Sequence, residues 1–245
     1  MAFNKLSFQI ELSKKDISRG INLPKELSSS LGYLCGILVG DGSIYRREKK
    51  NDFIIKCVGN PKDEKQLYHK IIGPIFKEVF GFEPNIRYQD SSTTYGFIIY
   101  SKTLFKYLTE VLGLMQGRKD QRLCVPEILK ENKSLLIPFL QGVFDTDGCI
   151  CFKKKYKPKP YYPVISLSSK SKKLIKDTTD ILKNLGFKLV ETYDYEIIEK
   201  RAIDGFTIIN RLELNGKDNL RKWISLINFK SPKHLKKIEK YWKEK

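Results

Sequence analysis

The sequence predicts an α+β protein built as two pseudo-symmetric copies of a helix–strand–strand–helix–strand–strand–helix unit. Three observations predict it. An internal repeat runs through the chain, apolar spacing alternates between helical and strand periods in the same order in each copy, and basic charge is spread over both copies. The repeat is clearest where LCGILVGDG (34–42) aligns with LQGVFDTDG (140–148). Leu, Gly, Asp and Gly recur at the same places, and Asp41 and Asp147 lie 106 residues apart.

The elements follow in order. The first copy opens on an apolar helix after the N-cap candidate Ser30, then strand-like SIYRR, a polar turn EKKND and strand-like FIIKCV. Leu67, Ile71, Ile72, Ile75, Phe76 and Val79 keep the spacing of an amphipathic helix. Strand-like NIRYQD and YGFIIY and a helix from Lys102 to Leu112 complete the unit. The second copy opens on an apolar helix after the N-cap candidate Ser134, then CICFKKK, the turn YKPKP and strand-like YPVISLS. A helix ending at Gly186, strands in FKLVETYDY and GFTIINRLEL, and the helix KDNLRKWISLI follow. A last helix, KHLKKIEKYWKEK, is expected to pack Leu235, Ile238 and Trp242 on the body.

The two opening helices carry small residues four apart, Gly36 with Gly40 and Gly142 with Thr146. Residues at i and i+4 share a helix face, and small ones let two backbones approach closely. These helices are therefore expected to meet at a pseudo-two-fold axis, with Asp41 and Asp147 leaving their ends together. Two carboxylates placed so repel each other unless a cation lies between them, and hard oxygen ligands suit Mg²⁺.

The 245 residues hold 46 Lys and Arg against 28 Asp and Glu, a net charge of +18. Residues 1–130 contribute +7 and residues 131–245 +11, so this is not a neutral body with a basic tail. Basic residues alternate with aromatics in IYRREKK (44–50) and KKKYKPKPYY (153–162), a mixture suited to phosphate and sugar contacts. Five cysteines form no CxxC pair, which argues against a disulfide framework or a structural zinc site. No apolar run is long enough to span a bilayer, and the start has no signal-peptide pattern. An intracellular protein with nucleic acid as partner, rather than a membrane, is expected.

The segments LCGILVGDG and LQGVFDTDG resemble the two signature helices of the LAGLIDADG homing endonucleases, in their single-chain, two-motif, archaeal or organellar form. RGINLPKELSSSLGYLCGILVGDGSI also resembles archaeal members. The resemblance implies two αββαββα halves, at 31–125 and 126–245 after an N-terminal extension at 1–30. Each half's four antiparallel strands would form a saddle on duplex DNA, with the signature helices at the interface. It implies site-specific double-strand cleavage of a long asymmetric target by metal-dependent phosphodiester hydrolysis, leaving short 3′ overhangs. Asp41 and Asp147 would bind the metal, joined by the carbonyls of Gly40 and Thr146. Mg²⁺ is the expected ion, with Mn²⁺ as substitute and Ca²⁺ supporting binding without efficient cutting. Lys119 and Lys233, 114 residues apart after the last helix of each half, match the family's basic catalytic residue. Asn60 and Ser169, after the second strand of each half, match its polar pocket residue. The sixth motif position is Val39 in one copy and Asp145 in the other, where Asp145 is expected to cap or stay solvated.

Recognition residues should alternate along the strands, because successive side chains point to opposite faces. If Ile44, Ile150 and Phe152 face the core, then Tyr45, Arg47, Cys151 and Lys153 face DNA. Arg87, Gln89, Tyr193, Arg211 and Glu213 on the later strands join them, as do Lys155 in the basic turn and Lys170 beside Ser169. A monomer is expected, cytoplasmic if archaeal and organellar if eukaryotic. The rival function is an RNA maturase acting on intron RNA, or a DNA binder without cleavage; the two retained acids favour cleavage. The Met-Ala start and Lys-Glu-Lys end fit a free-standing, intron-encoded protein better than an intein-borne one. His69 and His234 are too few for an HNH site, and an anionic-membrane binder would need a more amphipathic basic helix.

Overall fold

The N-terminal segment lays down the first contacts. In the computed structural model, which describes residues 5–155, 161–200 and 204–243, a short helix α1 (Lys14–Ser18) precedes the first motif helix α2 (Ser29–Gly40). Ile21, Leu23 and Leu27 join the core, Lys5 bridges to Glu26, and Pro24 accepts a hydrogen bond from the Tyr107 hydroxyl. Residues from Lys5 to Leu27 thus pack against the first half. Two antiparallel strands follow, β1 (Gly42–Arg47) and β2 (Asp52–Gly59). Then α3 (Lys65–Leu67) runs through a π-helical turn at Tyr68–Ile72 into α4 (Gly73–Phe80). Next come β3 (Arg87–Gln89) and β4 (Thr94–Tyr100), then α5 (Lys102–Lys106), which continues as a second π-helical turn, Tyr107–Val111.

The second half repeats the order. A short α6 (Glu127–Lys130) leads into the second motif helix α7 (Lys133–Thr146). After it come β5 (Gly148–Lys153), β6 (Tyr162–Ser169), α8 (Lys172–Asn184), β7 (Leu189–Ile198), β8 (Phe206–Asn215) and α9 (Lys217–Leu226). The closing helix α10 (Pro232–Lys243) packs back on β5. The sheets have the orders β1-β2-β4-β3 and β5-β6-β8-β7, every pairing antiparallel. This is the expected α+β architecture, two four-stranded sheets related by the repeat. The turn expected at 156–160 lies outside the described residues.

Three expectations need correction. The cap of α2 is Ser28, whose hydroxyl accepts from the Leu31 amide at 3.1 Å, while Ser30 sits inside the first turn and donates to Glu78. The cap of α7 is Asn132, so Ser134 is also internal. Each helix starts earlier than its apolar run because polar residues are tolerated in a first turn. On α10 Leu235 and Ile238 pack as expected, but the third packing residue is Tyr241, stacked on Phe152 at 4.2 Å, while Trp242 is 39% exposed. Among the described residues no helix is long and apolar enough to cross a membrane.

The motif helices meet backbone to backbone. A Cβ on Gly36 would lie 3.0 Å from the Gly142 Cα and 2.9 Å from the Val143 nitrogen. A Cβ on Gly142 would meet the Ile37 nitrogen at 2.9 Å. Only glycine allows this approach. Every α2 residue from Leu31 to Gly40 is buried, because one side meets α7 and the other meets its own half.

Candidate active site at the ends of the motif helices

Asp41 and Asp147 occupy equivalent places. Each is the C-cap of its motif helix, with φ and ψ of −83° and −10° for Asp41 and −84° and −13° for Asp147. A glycine follows each because the chain turns at once into β1 or β5; a Cβ on Gly42 would meet the Leu38 Cα at 2.6 Å. The Asp147 carboxyl lies against Gly40, where a Cβ would come within 3.6 Å of its Cγ. The helix crossing therefore brings the second acid beside the residue that precedes the first.

Asp41 is half-buried and accepts a hydrogen bond from the Tyr68 hydroxyl at 3.1 Å. Burial, then Glu64, then Asp147 push its carboxyl up to about 8, against the smaller opposing pull of Tyr68 and Lys119. Asp147 is exposed to solvent, with protein packed around the rest of its carboxyl. Burial raises it above the ordinary value and Glu64 adds to this, while Lys119 and Lys233 oppose. Burial lowers the Lys119 ammonium, with both aspartates opposing, and this lysine donates to the Gly40 carbonyl. Lys233 donates to Glu64 Oε1 at 2.6 Å. The site thus holds two motif acids, a third acid and two lysines.

Of the residues expected here, Asp41, Asp147, Gly40 and Lys119 come together, and Lys233 reaches the same cluster through Glu64. The Thr146 hydroxyl is turned back on its own helix, donating to the Gly142 and Val143 carbonyls, and fits against Gly40. The two expected pocket residues bond locally. The Asn60 side-chain oxygen accepts from the Lys62 amide within its own turn, and its backbone N–H donates to Glu64 Oε2 at 2.7 Å. The Ser169 hydroxyl likewise accepts from the Ser171 amide. Short polar side chains after a strand end satisfy the turn first.

Asp145 is neither a solvated residue nor a helix cap. It is fully buried, accepts from the Lys230 and Ser231 amides at 3.0–3.1 Å, and takes the Tyr33 hydroxyl of the other motif helix at 2.8 Å. Burial raises its carboxyl to about 6, with these hydrogen bonds opposing. An acid inside an apolar helix was a sequence signal for such a lock. Glu64 and Tyr68 gave none, since one looked like a surface acid and the other like core.

The strand registers divide the recognition candidates by face. Ser43, Tyr45 and Arg47 align with Lys56, Ile54 and Asp52, and Lys56 aligns with Ile98. Arg87 and Gln89 join this face through Gly96 and Thr94. In the other sheet Cys149, Cys151 and Lys153 share a face with Ser166, Ser168, Arg211 and Glu213. Arg211 donates to the Ser168 hydroxyl at 3.0 Å and Lys153 pairs with Glu213 at 3.4 Å. Lys155 bends over the Tyr162 ring, and Lys170 is exposed beyond β6. Tyr193 is a correction. It shares the face of Leu189 and Glu191, which pair with the core residues Leu214 and Leu212, so it lies on the helical side, with the ammonium of Lys172 over its ring at 5.4 Å; the register shifts only after it, before Tyr195.

Two carboxylates and a main-chain carbonyl are hard oxygen donors, and burial with mutual repulsion makes a bound cation favourable here. Their chemistry fits a hard divalent ion. Among the described residues no three His, Cys, Asp or Glu side chains converge on one point, so oxygens from outside the chain would have to complete the shell.

Paired motif helices ending in acids, each followed by a four-stranded sheet, make up both halves of the chain. Residues 134–228 match the family model of a LAGLIDADG-like domain. Over both halves the chain has the fold of homing endonucleases of known structure. The homing endonuclease I-DmoI in complex with DNA and Ca is 18% identical, with a TM-score of 0.55, covering 86% of this chain and 97% of its own. The homing endonuclease I-WcaI bound to its DNA recognition sequence is 17% identical, with a TM-score of 0.53 and 88% of each chain covered. Similar sequences also lie within larger proteins. The tRNA-splicing ligase RtcB of Methanopyrus kandleri is 26% identical over 220 residues, 82% of this chain and 20% of that protein. The glutamine–fructose-6-phosphate aminotransferase of Methanocaldococcus jannaschii is 23% identical over 219 residues, 89% of this chain and 18% of that protein. The chain spans about a fifth of the length of these curated relatives.

Proposed function

We propose that this chain is a monomeric, site-specific DNA endonuclease of the homing type, its halves at 31–125 and 126–245 each addressing one half-site. It makes a double-strand break with short 3′ overhangs by phosphodiester hydrolysis. The observation that carries this reading is the convergence of Asp41 and Asp147 at the ends of two helices packed on glycine, flanked by Lys119 and Lys233. Asp41 and Asp147, joined by the carbonyls of Gly40 and Thr146, would hold Mg²⁺ or Mn²⁺, which supplies a Lewis acid for the phosphate and an acidified water. The lysines act on the substrate. An ammonium beside the scissile phosphate stabilises the charge that grows on its oxygens and orients the attacking water. Tyr68 keeps the Asp41 carboxylate aimed by its hydrogen bond. Tyr45, Arg47, Arg87, Gln89, Cys151, Lys153, Arg211 and Glu213 face the duplex, while Lys155 and Lys170 contact the backbone. The positive charge of both halves holds the phosphates, and the differing side chains give an asymmetric target.

The test uses a randomised duplex library with Mg²⁺ and sequencing of the cut ends. One long asymmetric site cut on both strands is expected, with no cutting in EDTA and binding without efficient cutting in Ca²⁺. Cutting that persists in EDTA, or no cutting with Mg²⁺ or Mn²⁺, overturns the reading. In the latter case retained RNA binding would favour the maturase alternative.

A further inference from the structure

The two site lysines sit at equivalent places in the repeat but are held differently. Lys119 lies in a stretch without regular structure between Val111 and α6, and it donates within its own half to the Gly40 carbonyl. Lys233 is fixed at both ends. Its backbone is in the first turn of α10, after Lys230 and Ser231 whose amides are bound by Asp145. Its Nζ crosses to the other half and meets Glu64.

Glu64 has no counterpart. Five residues, 60–64, connect β2 to α3, whereas two, 170–171, connect β6 to α8. Glu64 and Ser171 both precede their helices, but Ser171 turns its hydroxyl away to the Leu123 carbonyl at 2.5 Å. Glu64 is 5% exposed, with one oxygen on the Asn60 amide and the other on Lys233. The Lys233 side chain is 23% exposed, so the pair is largely desolvated and removal of either partner leaves the other uncompensated.

We propose that Glu64 is a positioning residue for Lys233, and that this one-sided support makes the two strands of a duplex be cut at unequal rates. The inference rests on the endonuclease reading above. An ammonium has three donors, so one can stay on Glu64 while the others reach a phosphate oxygen. A pre-placed amine loses less freedom on reaching the reacting geometry than one that must be ordered there. Lys119, held by the Gly40 carbonyl within its own half beside Asp41 and Asp147, serves the other strand without a support from across the interface.

The test is single-turnover cleavage, with Mg²⁺, of the duplex recovered from the randomised library, each strand carrying a different fluorophore. Wild type should show two rates and a nicked intermediate. Glu64→Gln should slow one strand about tenfold, the scale of one lost charge-assisted hydrogen bond. That strand should be the one that Lys233→Met slows. The other strand should stay within about twofold, and Glu64→Gln added to Lys233→Met should cost nothing more. DNA affinity in Ca²⁺ should be unchanged, which a general loss of structure would not allow. Equal slowing of both strands, acceleration, or full additivity with Lys233→Met overturns the inference while leaving the endonuclease reading intact. A wild type that cuts neither strand overturns both. Should Glu64→Gln fail to fold, ¹⁵N-lysine spectra of the wild type decide. A slowly exchanging ammonium signal that disappears in Lys233→Met supports the pairing, and its absence overturns it.

Discussion

Asp41 and Asp147 differ in their surroundings although they occupy the same motif position. Asp41 is packed against Tyr68, whereas Asp147 opens to solvent. Replacing either with Asn keeps the shape and removes the charge that would hold a cation. In each single variant the cut of at least one strand should be lost, and of both strands in the double variant, with the gel shift in Ca²⁺ preserved. A supercoiled-plasmid assay that separates nicked from linear product checks this. Linearisation by the double variant near the wild-type rate would remove both acids from catalysis. The raised Asp41 carboxyl also has a stability consequence. Its folded value of about 8 lies above the ordinary unfolded value of about 3.9. Between those values the native chain keeps a proton that the unfolded chain has released, so stability falls as pH rises through the window. Asn carries no such charge. Without metal, Asp41→Asn should therefore melt with the wild type near pH 4 and well above it beyond pH 8. A constant offset at every pH would contradict the shift.

At the scale of elements, the pairing of α2 with α7 places everything else in the site. Gly36→Ala would drive a methyl into the backbone of α7, with the Val143 nitrogen at 2.9 Å and the Gly142 Cα at 3.0 Å. A loss of about 3 kcal/mol is expected in denaturant unfolding, at the upper end for an overpacked methyl, and both strand cuts should fall together. Asp145 ties the same pair to the approach of α10. Asp145→Ala would orphan two backbone amides and the Tyr33 hydroxyl, at a cost of about 3 kcal/mol. Chemical denaturation of that variant, beside Val39→Ala in the first motif as a plain apolar truncation, measures the difference.

For the whole molecule, the net charge of +18 and its spread over both halves predict steeply salt-dependent binding. Affinity for the target should drop roughly 10³-fold between 50 and 200 mM salt, as bound cations are released from the duplex. The two sheets present different side chains, so a palindrome built from either half-site should bind more weakly than the native target. Fluorescence anisotropy over a salt series with the three duplexes measures both effects. A flat salt response, or equal affinity for all three, would contradict recognition by two unlike halves.

The sequence by itself determined the repeat, the order of the strands and principal helices in each half, the glycine-lined contact between the motif helices and the acids at their ends. These are local properties, periodicity and small residues at fixed spacing, repeated twice in one chain. It also determined which strand side chains lie opposite the core, because alternation follows from Ile44 and Ile150 facing it. Only the tertiary structure decided the rest. Glu64 stands among the ordinary surface charges of NPKDEKQL, and its partner Lys233 is 169 residues away. The Asn60 oxygen is taken up by the Lys62 amide of its own turn, and Tyr193 falls on the helical face beside Glu191. Asp145 became buried because Tyr33 and the amides at 230 and 231 close over it from elements distant in sequence. Such partnerships depend on which surfaces meet after folding, and no spacing within a single element encodes them.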